Sequence, residues 1–192
     1  MERIYIMLDT ETTGLDTRNA VAWQIGMAVF TPDYIVDSEF ESTCGVPMVE
    51  WESSTLDFAH KTYGMGQALA ACSTGTNPNY LEFMTQATSF IEGVTKQYGF
   101  KNVWLICNHV EFDWPIFLNS LARAGMATPL TGYIHYRNKL DMQSLCMGKV
   151  GRRYEEVYNR IRHDSQPVQH KALADCISQI NLLYDFGVAL PR

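Results

Sequence analysis

Apolar residues run unbroken from Ile4 to Leu8 and stop at Asp9, with a second acid two places on at Glu11. A short run of this kind predicts a buried central strand. From Ala22 to Phe30, bulky Trp23, Ile25, Met27 and Val29 alternate with smaller or polar neighbours, the period of a strand. Tyr34–Ser42 alternates more weakly, after the turn signal Thr31-Pro32-Asp33. Three strands with short links predict an antiparallel meander.

The pattern then changes to helical spacing. Ser53-Ser54-Thr55 is placed to cap a short helix from Leu56 to Thr62, and residues 64–79 are rich in glycine and small residues, as in a loop. Phe83, Ala87, Phe90, Ile91, Val94 and Tyr98 mark one face of a helix that Gly99 stops. Val103–Cys107 predicts a second buried strand. Pro115 fits the first turn of a helix carrying Ile116, Phe117, Leu121 and Ala124 on one face. Ile134–Tyr136 suggests a short edge strand, Asp141–Met147 a helical turn, and Arg152–Ile161 a charged helix. Lys171–Phe186 is a strong helix with Ala172, Cys176, Ile180 and Leu183 as its buried stripe. Strands first and helix–strand alternation afterwards predict an α/β fold with a mixed sheet.

At 192 residues and 46% apolar content, the chain suits a single domain over residues 1–192. Neither a signal peptide nor an apolar stretch of bilayer length is evident, so a soluble, intracellular, cytoplasmic protein with no membrane partner is expected (host cytoplasm for a viral chain). The five cysteines, Cys44, Cys72, Cys107, Cys146 and Cys176, are scattered and form no CxxC pair, which predicts reduced thiols and not a zinc site. The net charge of −6 excludes a protein that coats nucleic acid by charge alone. The charge is uneven, however. Between Arg137 and Lys171 eight basic residues face four acidic ones, a local basic island.

Three acidic stations carry candidate chemistry. In Asp9-Thr10-Glu11 the two carboxylates share one strand face, as the end of a strand in water or as a cation site. In Asn108-His109-Val110-Glu111-Phe112-Asp113 the last acid sits at a strand-to-helix junction, where it either caps the helix or serves a site. His170-Lys171-Ala172-Leu173-Ala174-Asp175 straddles the start of the last helix. There His170 is either a solvated loop residue or a ring folded back toward Asp175.

Taken together, DTETTG, NHVEFD and HKALAD resemble in order and internal spacing the three motifs of the DEDDh exonucleases. These form part of the DnaQ-like superfamily with its ribonuclease H-like fold. The resemblance spans Asp9 to Asp175. Trp23-Gln24-Ile25-Gly26 is similar to the family's second strand, and Leu140–Leu145 to its segment in which an aspartate opens a short helix. Ser54–Phe58 resembles a region of the RNase T-like exoribonucleases and phage exonuclease A-type proteins. The segment at 64–79 has no family counterpart.

The resemblance implies a ribonuclease H-like mixed sheet, an antiparallel three-stranded meander plus parallel strands, flanked by helices. It implies a 3′-5′ exonuclease that hydrolyses phosphodiesters at the 3′ ends of single-stranded DNA or RNA and releases nucleoside 5′-monophosphates. Asp9, Glu11, Asp113 and Asp175 would hold two Mg²⁺ or Mn²⁺ ions, the choice of hard cation that oxygen ligands favour. His170 would be the general base. Thr10, Thr12, Leu15, Phe58 and His109 would contact the terminal nucleotide. A homodimer is implied by likeness to the RNase T branch. The alternative from another class is a catalytically silent nucleic-acid-binding or inhibitory module on the same fold.

Overall fold

In the computed structural model, residues 3–46, 50–59, 61, 79–126, 134–151 and 171–192 are described. Strand β1 (Ile4–Thr12) is central because it is apolar on both faces. Ile4, Ile6 and Leu8 enter one core, and Tyr5 and Met7 enter another on the opposite face. Strand β2 (Ala22–Phe30) pairs with it antiparallel, and β3 (Val36–Thr43) continues the meander outward. On the other side β4 (Val103–Cys107) and β5 (Lys139–Asp141) run parallel to β1. The order is β3-β2-β1-β4-β5, the mixed sheet expected from the sequence.

Helices cover both faces. Helices α1 (Tyr80–Tyr98) and α2 (Val110–Arg123) pack on the core of Ile6, Leu8, Ile25 and Leu105. Helices α3 (Met142–Val150) and α4 (Ala172–Asp185) pack on Tyr5, Met7, Ala28 and Ile106. This division explains the bulky–small alternation of β2. Ile25, Met27 and Val29 fill the first core, while small Gly26 and Ala28 lie beneath α4. Both faces of β2 are therefore buried. Asn79 caps α1 by accepting from the Glu82 N–H at 2.9 Å, and Gly99 at φ 84 ends it.

Several boundaries differ from the sequence reading. Helix α2 starts at Val110, five residues before Pro115, so the proline lies inside the helix. The cause is tertiary: the Asp141 carboxylate accepts from the Val110 N–H at 3.2 Å and extends the helix backward. The edge strand is Lys139–Asp141, not Ile134–Tyr136. Residues 135–138 turn instead, with the Asn138 N–H bonded to the His135 carbonyl at 2.8 Å and the Asn138 amide bonded to the Lys101 and Val103 carbonyls. The short helix begins at residue 53, earlier than Leu56. Tyr34 adopts φ 62, which delays the third strand to Val36. The segment at 64–78 and the helix expected at Arg152–Ile161 lie outside the described residues. Cys44, Cys107, Cys146 and Cys176 are buried free thiols; Cys72 lies outside the described residues.

Candidate active site

Asp9 and Glu11 project from the end of β1, opposite Gly26 and Gln24 of β2. Immediately after Glu11 the register with β2 shifts, a bulge that turns the chain away once the two acids are set. Asp175 reaches them from α4. One carboxylate oxygen from each of Asp9, Glu11 and Asp175 lies within 4.8 Å of the others.

The approach of α4 depends on Gly26. A Cβ at that position would collide with the Ala172 carbonyl carbon and the Leu173 nitrogen, both backbone atoms. The sheet also caps the helix, since the N-cap residue Lys171 makes no side-chain cap. Instead the Ala172 N–H donates to Gln24 Oε1 at 3.2 Å and the Leu173 N–H to Glu41 Oε1 at 3.4 Å. Cys176 Sγ donates to the Gly26 carbonyl at 3.3 Å one turn on. The first turn of α4, and Asp175 with it, is thus fixed to β1, β2 and β3.

Asp113 bonds both to the backbone N–H of His109, the N-cap residue of its own helix, and to β1. Its Oδ1 accepts from both the N–H of Thr10 at 3.1 Å and the Thr10 hydroxyl at 2.8 Å. It is buried and lines the same cavity of about 320 Å³ as the other three acids. Gln179, four residues beyond Asp175 and about 40° round the helix from it, donates its amide to Asp9 Oδ1 at 2.8 Å. His109 is exposed at the cavity rim with Nε2 2.7 Å from the Gln143 amide.

The cluster resists ionisation by itself. Burial, then the charge of Asp175, pushes Asp9 up to about 7 against the pull of the Gln179 amide. Burial pushes Asp175 up to about 6. Burial and Asp9 hold Asp113 well above the ordinary carboxylate range, although the Thr10 bonds oppose this. A divalent cation would reverse these penalties. The donor set fits Mg²⁺ or Mn²⁺: it is made of hard oxygens, and burial keeps the nearby Cys107 and Cys176 thiols protonated. Two buried amide oxygens at the cavity, Asn108 Oδ1 and Gln179 Oε1, find no donor among the described residues. Spare acceptors suit the hydration shell that Mg²⁺ keeps.

Asp9, Thr10, Glu11, His109, Asp113 and Asp175 therefore line one cavity. Thr12 and Leu15 stand beyond it in the turn, and Phe58 lies on the short helix; none of these three lines the cavity. Thr12 is buried and its hydroxyl donates to the Gly14 carbonyl at 2.7 Å. Glu52 braces this turn, its N–H donating to the Thr13 carbonyl and its Oε1 accepting from the Asp16 N–H. Leu15 is held out at 69% exposure and Phe58 is half-exposed. His170 lies outside the described residues. Gln179, Gln24 and Gln143 were not singled out in the sequence. Only Gln179 carried a signal, its helical spacing from Asp175.

A five-stranded mixed sheet whose central strand ends in paired acids, with helices on both faces, is the ribonuclease H-like fold of the DnaQ-like exonucleases. Within that class the chain belongs to the Rv2179c-like 3′-5′ exoribonuclease domain family, whose profile matches residues 4–185. No curated protein matches the sequence. Among solved structures, the zinc-bound E. coli exonuclease I–single-stranded DNA complex is similar at a TM-score of 0.70 and 15% identity. That match covers 96% of this chain and 41% of the other. Cell-death related nuclease 4 (CRN-4) is similar at 0.68 and 13% identity, over 98% of this chain and 66% of that one. Exonuclease I from Methylocaldum szegediense gives 0.61 and 18% identity, covering 95% and 40%. The chain spans about two fifths of the exonuclease I chains it matches. No helix among the described residues is long and apolar enough to cross a membrane.

Proposed function

We propose that the protein is a metal-dependent 3′-5′ exoribonuclease that removes nucleoside 5′-monophosphates from the 3′ ends of single-stranded RNA. The observation that carries this reading is the convergence of Asp9, Glu11 and Asp175 within 4.8 Å, in a chain of an exoribonuclease family. Asp9, Glu11, Asp113 and Asp175 would hold two Mg²⁺ or Mn²⁺ ions. Such ions, when bound, supply Lewis-acid stabilisation of a phosphodiester and activation of water.

The chain's own residues do the rest. Thr10 holds Asp113 in one orientation through two donors. Gln179 orients Asp9 through a single donor. The buried walls around Asp113 exclude bulk water and strengthen every charge interaction in the cavity. His109, at the rim, contacts the terminal nucleotide, and the fixed turn presents Leu15 beside it. His170, adjacent in sequence to the N-cap of α4, takes the proton of the attacking water, the work of a neutral imidazole.

The test uses 5′-labelled and 3′-labelled single strands of RNA and DNA with Mg²⁺, Mn²⁺ or chelator. Shortening of RNA from its 3′ end, dependent on the cation and abolished in Asp9→Asn, is the expected result. DNA shortened faster than RNA would overturn the substrate assignment. No cleavage of either in any cation would overturn the enzyme and leave a silent binding module. His170→Ala is expected to keep cation affinity and lose about 10²-fold or more in rate.

A further inference from the structure

The outer edge of the sheet carries cations paired with rings that the acidic cavity does not use. Lys139 Nζ on β5 lies 5.1 Å from the centre of the Trp114 ring on α2. Two residues earlier, Arg137 Cζ lies 5.2 Å from the centre of the Tyr136 ring, which is 61% exposed. Tyr136 continues the series to His135, ring centres 4.6 Å apart, and His135 meets Phe100 edge-on at 5.7 Å. Neither Arg137 nor Lys139 forms an ion pair among the described residues. Two cations without an ion pair among the described residues, each held against a ring, thus stand within four residues of sequence, in a chain of net charge −6.

These pairs lie on a path that ends at the cavity. Lys139 stands opposite Leu105 of β4, and β4 leads two residues later to Cys107 and then to Asn108 and His109 on the cavity wall. Helix α2 departs from the same point, with Trp114 about one turn along it. From the cavity outward, the chain therefore offers His109, then Lys139 with Trp114, then Arg137 with Tyr136. The last two stations are two residues apart in the chain, Arg137 in the turn at 135–138 and Lys139 at the start of β5. Among the described residues no further strand pairs with β5, the outermost strand of the sheet.

A solvated loop needs none of this order. Exposed lysines and arginines ordinarily sample many rotamers, whereas a guanidinium laid on an exposed ring presents a flat face and a positive charge together. That is the combination with which proteins hold single strands: cations along the phosphates and rings beneath the bases. We infer that this edge holds the body of a single-stranded RNA whose 3′ end occupies the acidic cavity. Arg137 and Lys139 meet successive phosphates, and Tyr136 receives a base. Trp114 orients Lys139. The inference rests on the exoribonuclease reading for its polarity and for its choice of RNA.

The test compares Tyr136→Ala/Arg137→Ala with the wild type on two RNAs: a dinucleotide, too short to leave the cavity, and a long unstructured strand. Anisotropy of the 5′-labelled long strand measures binding directly. The variant is expected to raise KM for the long strand about tenfold, the worth of a stacked base. Its kcat, and its cleavage of the dinucleotide, stay unchanged. Its affinity for the long strand also falls less steeply with salt, by about 0.7 in log–log slope for the one cation removed. Equal losses on both RNAs, or an unchanged KM for the long strand, overturn the track. If the wild type cleaves neither RNA, the exoribonuclease reading fails separately. The anisotropy then decides the track: weaker binding by the variant supports it, and equal binding overturns it.

Discussion

Gln179 and Asp9, 170 residues apart in the chain, share a hydrogen bond of 2.8 Å in which the amide donates to the carboxylate. Burial and the charge of Asp175 oppose ionisation of Asp9, and this bond acts against them. The remaining amide oxygen of Gln179 is buried without a partner among the described residues. Replacing Gln179 with Leu keeps the volume and removes both polar atoms. Cation affinity, followed by calorimetry with Mn²⁺, should fall about 10- to 100-fold, as for other groups that orient a metal ligand. An unchanged affinity would leave Gln179 a packing residue only.

Gly26→Ala tests how α4 is seated. The added methyl meets helix backbone, which cannot rotate aside. Destabilisation of at least about 1–3 kcal/mol is expected from overpacking, together with weaker cation binding as Asp175 is displaced. Gly93→Ala on α1 is the matched control, since a Cβ there meets nothing within 4 Å. It should be neutral or stabilise by about 0.5–1 kcal/mol. Urea unfolding of the two variants side by side reads the difference.

Thr10→Val removes one of the two donors to Asp113 Oδ1 and keeps the backbone one. With Asp113 ionised, the lost bond is worth about 1.5–3 kcal/mol, and less when the acid is neutral. The loss of stability in urea should therefore be larger with Mn²⁺ bound than in chelator. Equal losses in both conditions would mean that the hydroxyl serves only the cation-free fold.

Asp9 at about 7 and Asp175 at about 6 both lie above their unfolded value of 3.8. The cation-free native state then binds more protons than the unfolded chain between these values. Its stability from these two acids is full below the unfolded value and is lost as pH rises through about 6 and 7. Mg²⁺ or Mn²⁺ displaces those protons. Thermal unfolding should show a small cation-induced rise in Tm near about pH 5 and a large one near about pH 8. A rise independent of pH would place the cation away from Asp9 and Asp175.

Much of this site was legible because it obeys local periodicities. Two acids at i and i+2 on a strand share a face whatever the rest of the chain does, and Asp175 follows from the first turn of a strongly patterned helix. Asp113 was legible only as a choice between cap and site. In the fold it does both, bonding to the N-cap backbone of its own helix and accepting two bonds from Thr10, more than a hundred positions away in the sequence. Gln179 escaped notice because its partner depends on how closely α4 approaches β1, which Gly26 sets from a third element. The edge strand was misplaced for a similar reason. Three residues are too few for alternation, and Ile134 is buried by the α1–α2 core without belonging to the sheet. Pro115 misled because the acceptor extending α2 backward, the Asp141 carboxylate, lies in another segment.

The joining of β1 to α4 also has a meaning in time. Asp9 is made 166 residues before Asp175, and Gly26, Gln24 and Glu41, which seat α4, are also made before it. Until Asp175 has been made, the three carboxylates cannot meet. A nascent chain that has not reached Asp175 therefore lacks the assembled acidic centre.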